Sequence, residues 1–231
     1  MEQSLLPASS RVVPIRLGLA QAFLVRGARP ILVDTGLPGR HEAILAALRQ
    51  EGLAPNDLAL ILITHGHTDH LGSAKTLRQA SGAPIAVHRL DAEAARTGQN
   101  PPLRPTAPWW RLTLLLAQQP PAPPFEPDIL VDQALDLAPW GVAGRVIPTP
   151  GHTPGSLTVV LDDGQVLLGD LVRGGLFRPE RPTFPFVAED LAAVRRSLEK
   201  ILALQPTRLY AAHGGPFTPE AVRRLLMTAH W

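Results

Sequence analysis

The chain has 231 residues, of which 45% are hydrophobic and 18% are charged, and its formal net charge at pH 7 is +2. This ordinary apolar fraction and small net charge exclude an intrinsically disordered protein, and the absence of cysteine excludes a disulfide scaffold and any cysteine chemistry. No segment approaches the roughly 20 apolar residues of a membrane-spanning helix, and no basic stretch followed by an apolar one opens the chain, so we expect a cytoplasmic protein.

The first ninety residues alternate short apolar segments with helical patterns. Residues 58–63 form a near-continuous apolar run, which suits a strand that is buried on both faces. In residues 40–50, Ile44 and Leu48 share one helix face, and Gly52 follows as a stop signal. We therefore predict strands at residues 11–17, 21–26, 30–34, 58–63 and 84–87, and helices at residues 40–50 and 71–80.

Residues 89–127 differ in composition, because they hold nine prolines and one short apolar block. This segment is too short to form its own core and too rich in proline to form one long helix. We therefore predict a single domain over residues 1–231, with a Pro-rich insertion at about residues 89–127.

The rest of the chain again combines short strands with helices. The helical pattern is clearest in residues 191–204, where Val194, Leu198 and Ile201 share one face and Arg195 lies on the other. Because strands followed by a helix occur in both halves, the order of elements favours a layered α/β domain. We predict strands at residues 129–137, 145–148, 157–161, 165–168 and 207–211, a hairpin turn at 162–164, and helices at 191–204 and 219–228.

The most informative segment is residues 64–70, with the sequence THGHTDH, which follows a predicted buried strand. Imidazole and carboxylate groups are the usual ligands of zinc and similar metals. In an extended segment His65 and His67 point the same way, and Asp69 and His70 then reach a second position nearby. Four such side chains aimed at one place would be costly without a cation, so we predict a metal site; a solvated polar loop is the alternative.

Three further residues with metal-ligand chemistry, His152, Asp170 and His213, each follow a predicted strand and are flanked by glycine, which lets the backbone come close. The carboxyl ends of strands are where open α/β sheets place their sites. A lone histidine or aspartate at a turn is more often a hydrogen-bonded cap, so it is the shared placement of the three that predicts one site.

As a set, these motifs resemble those of the metallo-β-lactamase-fold superfamily, in particular its glyoxalase II-like and lactonase-like branch. The resemblance covers the chain from about residue 13 to residue 217 and implies a four-layer αββα sandwich of two mixed β-sheets. The matching motifs occur in the family's order, and they are VDTG at residues 33–36, His65-x-His67-x-Asp69-His70, His152 in TPGHTPGS, Asp170 in LGD and His213 in AHGGP.

The resemblance further implies a hydrolase with two divalent metal ions, in the first place zinc, with manganese and iron as alternatives. A hydroxide that bridges the two ions would attack an ester, thioester or lactone, and Asp69 would pass a proton to the leaving group. Asp34 would orient a ligand histidine, with a cap of its turn as the alternative. The implied ligands are His65, His67 and His152 for one metal, Asp69, His70 and His213 for the other, and Asp170 as the bridge between them. Asp69 and Asp170 are also the implied catalytic residues.

Differences between this chain and individual branches of the superfamily narrow the range of expected reactions. The chain has no cysteine ligand, and it has Asp170 where the lactamase branch with an all-histidine motif usually has serine, which argues against antibiotic hydrolysis. Quorum-signal lactonases carry tyrosine at the position of Arg173. A mononuclear-iron persulfide dioxygenase, a phosphodiesterase or nuclease, and a non-enzymatic binding module of the same fold remain as alternatives.

Residues on the substrate side are predicted from their chemistry. Arg173 suits a substrate carboxylate or phosphate, and a surface salt bridge is the alternative. Trp109, Trp110 and Phe177 suit the wall of an acyl pocket, under an insertion that acts as a lid or forms a homodimer contact. The expected partner is a small acyl substrate. Scattered basic residues argue against a nucleic acid, and the apolar block in the insertion has no basic face for a membrane surface.

Overall fold

The centre of the molecule is a pair of β-sheets. The structure is a computed structural model that describes residues 10–108, 110 and 119–228. The strands of the first sheet are β1 (Arg11–Arg16), β2 (Gln21–Arg26), β3 (Ile31–Val33), β4 (Leu60–Leu62), β5 (Ile85–His88) and β6 (Ile129–Val131). They lie side by side in chain order, antiparallel from β1 to β3 and parallel from β3 to β6.

The second sheet is formed by the later part of the chain. Its strands are β7 (Leu135–Asp136), β8 (Gly144–Pro148), β9 (Leu157–Leu161), β10 (Gln165–Leu167) and β13 (Arg208–Tyr210), and a separate ribbon pairs β11 (Arg173–Gly174) with β12 (Pro182–Thr183). The order is β13-β10-β9-β8-β7, in which β13 is parallel to β10 and the other neighbours are antiparallel. β8, β10 and β13 therefore run in one direction and end at the same edge.

Helices cover the outer face of each sheet. They are α1 (His41–Gln50), α2 (Thr68–Leu71), α3 (Ala74–Ser81), α4 (Ala92–Thr97), α5 (Leu191–Ala203) and α6 (Pro219–Thr228). Along β4, Leu60 and Leu62 pack between the sheets, whereas Ile61 packs with α1 and α3, as the two-residue period of a strand requires. α5 and α6 cover the second sheet. The predicted four-layer αββα sandwich of two mixed sheets is therefore confirmed.

None of these helices, taken over the described ranges, is long and apolar enough to cross a lipid bilayer.

The N-terminus of α5 holds the loop that carries the predicted ligand His152. Asp190 caps this helix, because its Oδ1 accepts from the backbone N–H of Ala193 at 3.0 Å. The N–H groups of Glu189 and Asp190 donate to the carbonyls of His152 and Gly151, which holds the His152 loop against the helix.

The strand predicted at residues 129–137 is wrong as a single element, because the structure divides it between β6 in the first sheet and β7 in the second. Residues 132–134 carry the chain across the sandwich. Both pieces contribute to the same apolar layer between the sheets, through Ile129, Val131 and Leu135. Apolar alternation therefore continues through the crossing, and the pattern alone does not show the change of sheet.

The Pro-rich insertion connects β5 to β6, which are parallel strands and therefore need a crossover of a dozen or more residues. Its first part forms α4, for which the sequence pattern predicted no helix. Its proline-rich part runs beside residues 185–188, where the N–H of Thr106 donates to Phe186 O and the N–H of Ala188 donates to Arg104 O. The described part of the insertion thus lies close to the His152 loop, and its role as a lid stays a prediction.

Candidate metal centre

The candidate site lies where strands of both sheets end. In the first sheet, Asp34 follows β3 and residues 64–70 follow the parallel neighbour β4. In the second sheet, His152, Asp170 and His213 follow β8, β10 and β13, which run in one direction. The predicted ligands therefore sit on loops that leave the carboxyl ends of their strands, the usual location of sites in α/β folds.

The structure brings the seven predicted ligand residues together. Their ligand atoms form three groups, and within each group all of them lie within 4.8 Å of one another. The groups are His65, His67 and His152; Asp69, His70 and His213; and His65, His70 and Asp170. We name the first of these the imidazole group and the second the mixed group, and the third joins them.

The nitrogens of the imidazole group lie close enough together to bind one metal ion. His65 Nε2 lies 3.0 Å from His67 Nδ1 and 3.1 Å from His152 Nε2. His67 Nδ1 and His152 Nε2 are 3.0 Å apart. Nitrogen ligands around a tetrahedral zinc ion are separated by about 3.3 Å, given Zn–N distances of roughly 2.0–2.1 Å. The three nitrogens therefore nearly form one face of such a tetrahedron.

The surrounding hydrogen bonds assign the protons on these rings. His152 Nδ1 donates to a backbone carbonyl at 2.8 Å, so its Nε2 carries a lone pair. The Thr64 hydroxyl donates to Asp34 Oδ2 at 2.8 Å and therefore accepts from His65 Nδ1 at 3.1 Å, which leaves a lone pair on His65 Nε2. The two lone pairs face each other, and His67 Nδ1 has at most one proton to share between them. A cation in the triangle would satisfy all three nitrogens.

Burial lowers the pKa of each histidine in the imidazole group, and neighbouring imidazoles act in the same direction. The pKa of His67 falls to about 3, and that of His65 lies well below its usual value. Metal ligation requires the neutral imidazole. The three imidazoles are therefore neutral at neutral pH, which is the form that binds a metal.

Asp170 lies between the two groups. Its Oδ2 is 3.2 Å from His213 Nε2 and 3.7 Å from His152 Nε2, and its Oδ1 is 3.5 Å from His70 Nε2. His70 Nε2 and Asp170 Oδ1 are buried without a hydrogen-bond partner among the described residues. Buried polar atoms are almost always paired, so two unpaired atoms with ligand chemistry indicate a place for a cation. The residues present thus fit divalent metal ions.

The mixed group carries charges that the imidazole group lacks. Burial acts to lower the pKa of His70, but the carboxylates of Asp34 and Asp170 outweigh it and raise that pKa to about 9. Burial also opposes the charge of His213, yet Asp170 raises its pKa well above the usual value. Burial acts to raise the pKa of Asp170, but His213 and His70 hold it well below its usual value. A metal ion would replace the positive charge of these imidazolium groups and release their protons.

Asp34 connects the end of β3 to the mixed group. Its Oδ2 accepts from His70 Nδ1 at 2.8 Å, and its Oδ1 accepts from the backbone N–H of Thr64 at 2.8 Å. Its φ of 62° is left-handed, a region that aspartate tolerates better than most non-glycine residues. A carboxylate in this position fixes the tautomer of the histidine and leaves Nε2 for a metal. This is the contact expected of a residue that orients a ligand.

Backbone carbonyls hold two other predicted ligand histidines in the same way. His152 Nδ1 donates to Val187 O and His213 Nδ1 donates to Leu19 O, both at 2.8 Å. Each contact turns Nε2 toward the centre. Sequence reasoning did not find these partners, because any residue type can supply a carbonyl.

Sequence reasoning also missed Asp91, a buried residue at the end of the 3-10 turn that precedes α4. Its Oδ2 accepts from the N–H of Gly66 at 2.8 Å and from the hydroxyl of Thr153 at 2.7 Å, and its Oδ1 accepts from the N–H of Gly155 at 3.0 Å. A β-carbon on Gly155 would lie 2.5 Å from Asp91 Cγ, so only glycine permits this approach. Asp91 therefore ties together the two loops that carry the imidazole group. The only sequence signal is that both motifs contain a glycine.

A cleft of about 310 Å³ opens onto the metal centre, and its wall is mainly apolar. Of the predicted substrate residues, Arg173 and Trp110 line it. Phe177 does not, because it lies at the exposed turn between β11 and β12, where its side chain is 92% exposed. Trp109 and residues 111–118 lie outside the described residues.

The two-sheet sandwich and the cluster of metal-ligand residues at the ends of its strands define a class of metalloprotein. The chain belongs to the metallo-β-lactamase superfamily, whose family model matches residues 15–213. That range contains all seven predicted ligands. The family prediction made from the motifs is confirmed, and this membership supports a hydrolase that uses divalent metal ions.

Individual relatives agree with this assignment. The chain is 32% identical to human metallo-beta-lactamase domain-containing protein 1, over 91% of this chain and 68% of that protein. It is 34% identical to a hydroxyacylglutathione hydrolase of Alkalilimnicola ehrlichii, over 76% of this chain and 54% of that enzyme. The crystal structure of a metallo-beta-lactamase family protein from Thermus thermophilus matches with a TM-score of 0.67 and 27% identity, over 94% of this chain and 77% of that one.

Proposed function

We propose that this chain hydrolyses an ester, thioester or lactone with two divalent metal ions, in the first place zinc. The observation that carries the proposal is the convergence of five imidazoles and two carboxylates, some of whose buried ligand atoms have no other partner. Similarity to a protein named hydroxyacylglutathione hydrolase supports an acyl bond as the target.

The two groups of ligands would each hold one ion, and Asp170 would contact both. When bound, the ions would lower the pKa of a water molecule toward neutrality and polarise the carbonyl oxygen of the substrate. Asp170 would keep the two groups at a fixed separation, because its carboxylate oxygens lie within 3.2–3.7 Å of nitrogens from both.

Asp69 would move the proton. Burial acts to raise its pKa, but His70 and His213 outweigh burial and hold the pKa well below its usual value, so the carboxylate stays ionised near neutral pH. Asp69 lines the cleft, and its Oδ2 lies 3.4 Å from His213 Nε2. An ionised carboxylate at this point would accept a proton from the attacking water and pass it to the leaving group.

The cleft supports a small-molecule substrate, because a volume of about 310 Å³ lies at the lower end of the range for such sites. Leu103, Trp110 and Pro185 would contact an acyl group. A homodimer, a cytoplasmic location, and the absence of nucleic-acid and membrane partners stay predictions from the sequence.

The test is an activity profile of protein whose metal content has been measured, across matched esters, thioesters and lactones. We expect hydrolysis of at least one of these classes, loss of that activity after chelation, and recovery on addition of zinc. His67→Ala should lose the activity because it removes a ligand of the imidazole group. Asp132→Asn is a matched surface control, since Asp132 is exposed and pairs only with Arg89 among the described residues. Unchanged hydrolysis by His67→Ala would contradict the proposal.

The same preparation separates the alternative reactions. One bound iron with oxygen uptake in the presence of a persulfide would indicate a dioxygenase. Cleavage of a phosphodiester, with binding of RNA or DNA that weakens as salt rises, would indicate a nuclease. Protein that holds no metal after mild purification would indicate a binding module.

A further inference from the structure

The cleft wall contains one unusual side chain. Of the cleft-lining residues that the structure describes, Arg173 is the only arginine or lysine. It is partly buried, and no carboxylate in the described part of the chain lies within salt-bridge distance of its guanidinium. Its Nε donates to Gly174 O at 3.3 Å, and its terminal N–H groups have no hydrogen-bond partner among the described residues. A guanidinium has five N–H donors, so most of its binding capacity is unused.

One aromatic ring contacts this guanidinium, and a second ring stacks on the first. Arg173 Cζ lies 3.6 Å from the centroid of the Phe186 ring, and the Trp110 ring stacks on Phe186 with centroids 3.8 Å apart and planes 22° apart. Two planar groups this close to one centroid must occupy opposite faces of the ring, because on one face they would overlap. The arginine therefore covers the end of a three-layer stack. Stacking of this kind fixes the plane of a guanidinium and leaves its edge to form hydrogen bonds.

The local charges favour an anion beside this edge. Burial lowers the pKa of Arg173 and the nearby Asp170 and Asp69 act against that change, but an arginine stays protonated in either case. Those carboxylates belong to the predicted ligand set. With both ions in place, four positive charges would face the hydroxide and the three carboxylates of Asp34, Asp69 and Asp170, and Arg173 would add a further cation. The charge balance of the filled site is then positive, and a substrate anion would reduce it.

We propose that Arg173 selects substrates that carry a carboxylate close to the scissile carbonyl, through two parallel hydrogen bonds from its stacked guanidinium. The inference rests on the proposed acyl hydrolysis and names its substrate class. A carboxylate fits better than a phosphate dianion because the described wall offers a single cationic side chain. The rest of the substrate is apolar, in keeping with the wall residues Leu103, Leu176 and Pro185.

Matched thioesters test this inference. One pair places the charge in the leaving group, with S-acetyl-3-mercaptopropionate against S-acetyl-3-mercaptopropanamide, and the other places it in the acyl group, with succinyl against succinamoyl N-acetylcysteamine. In at least one pair we expect the carboxylate member to have a kcat/KM about 10- to 100-fold higher, the range expected of hydrogen bonds to a charged group. Wild-type protein that hydrolyses both members of each pair equally would overturn the inference and leave the proposed function intact.

Two substitutions assign the preference to Arg173. Arg173→Met keeps an unbranched stem over Phe186 but removes the charge, so the ratio between members of a pair should fall to about 1. Arg173→Lys keeps the charge without the planar fork and should give an intermediate ratio. Arg178→Met makes the same change on the exposed turn of the same ribbon and should keep the wild-type ratio. A wild-type ratio in Arg173→Met would contradict the inference.

A binding measurement separates this inference from the proposed reaction. By calorimetry on metal-loaded protein, 3-mercaptopropionate should bind more tightly than 3-mercaptopropanamide, and Arg173→Met should bind the two alike. If no ester, thioester or lactone is hydrolysed, the proposed function fails and this pair of thiols still decides whether the anion site exists. Should Arg173→Met fail to fold, Arg173→Lys and the wild-type comparison give the same decision.

Discussion

The two halves of the metal centre hold ligand atoms at similar distances but with opposite electrostatics. In the imidazole group, burial leaves neutral rings, and three of their nitrogens face one another at 3.0–3.1 Å. In the mixed group, carboxylates keep His70 and His213 protonated in the absence of metal. One half therefore presents neutral imidazoles to an incoming ion, whereas the other must release protons first.

The halves also differ in what supports them. Asp34 holds the mixed group by a hydrogen bond to the side chain of His70. Asp91 instead forms hydrogen bonds to the two loops that carry the imidazole group, and does not contact the imidazoles through these bonds. Each half thus has its own buried aspartate outside the ligand set. Substitutions at these positions should affect the halves separately, and substitution of the shared Asp170 should affect both.

The largest effect is expected for Asp170→Asn, because this carboxylate faces nitrogens of both halves. Loss of one ion removes several kcal/mol of transition-state stabilisation, so kcat/KM should fall on the order of 10³-fold. Metal content should be measured by atomic emission and activity on the best substrate of the panel. Asp132→Asn serves as the surface control. An Asp170→Asn protein with full activity and two metals would show that the halves do not depend on a shared carboxylate.

Asp34→Asn should weaken metal binding in one half only. The amide keeps the shape of the side chain but loses the negative charge that makes the His70 imidazole a stronger metal ligand. The metal affinity of the mixed group should therefore fall about 10- to 100-fold. Competition with a chromophoric chelator would resolve one weakened site and one unchanged site. Equal weakening of both sites would contradict the separation of the halves.

Asp91→Asn should act on the imidazole group and on stability. A buried carboxylate that accepts three hydrogen bonds is replaced by an amide that cannot accept them all, at a cost of about 1–3 kcal/mol. In a chain of this size the thermal midpoint should fall by about 5 °C. The control is Asp57→Asn, since Asp57 also accepts a backbone N–H but is exposed. An unchanged midpoint in Asp91→Asn would mean that the two loops hold their positions without it.

The smallest effect concerns pH in the metal-free protein, where the halves act with opposite sign. The pKa of His70 rises to about 9, so its contribution to stability is present below pH 6.5 and is lost as pH rises through 9. The pKa of His67 falls to about 3, so its contribution is present above pH 6.5 and is lost as pH falls toward 3. The thermal midpoint of chelator-treated protein should therefore be highest near pH 6.5 and fall by about 3 °C per pH unit on either side.

Asp34→Asn sharpens this test, because it removes the largest carboxylate influence on His70. The alkaline decline of the midpoint should flatten while the acid decline stays. If both limbs change together, the two groups of ligands titrate as one unit, and the contrast between them does not hold in solution.

Much of the architecture follows from local pattern. The predicted boundaries of Gln21–Arg26, Leu157–Leu161 and Pro219–Thr228 coincide with the observed elements, because hydrophobic period and turn residues act over a few positions. The seven residues that converge at the candidate metal centre were predicted because each belongs to a short motif directly after a strand. Strands that run in the same direction then bring such motifs to one edge of the sheet, whatever path the chain takes between the strands.

Tertiary structure alone decided the features that depend on distant segments. Residues 129–137 divide between two sheets although their apolar pattern is continuous. Asp91 acts on a loop more than sixty residues away, and Arg173 gains its stacked position only because the fold places the Phe186 ring beneath it. Short sequence motifs therefore indicate which side chains are candidate metal ligands. The fold decides which side chains support and surround them, because support depends on contact in space and not on neighbouring positions in the chain.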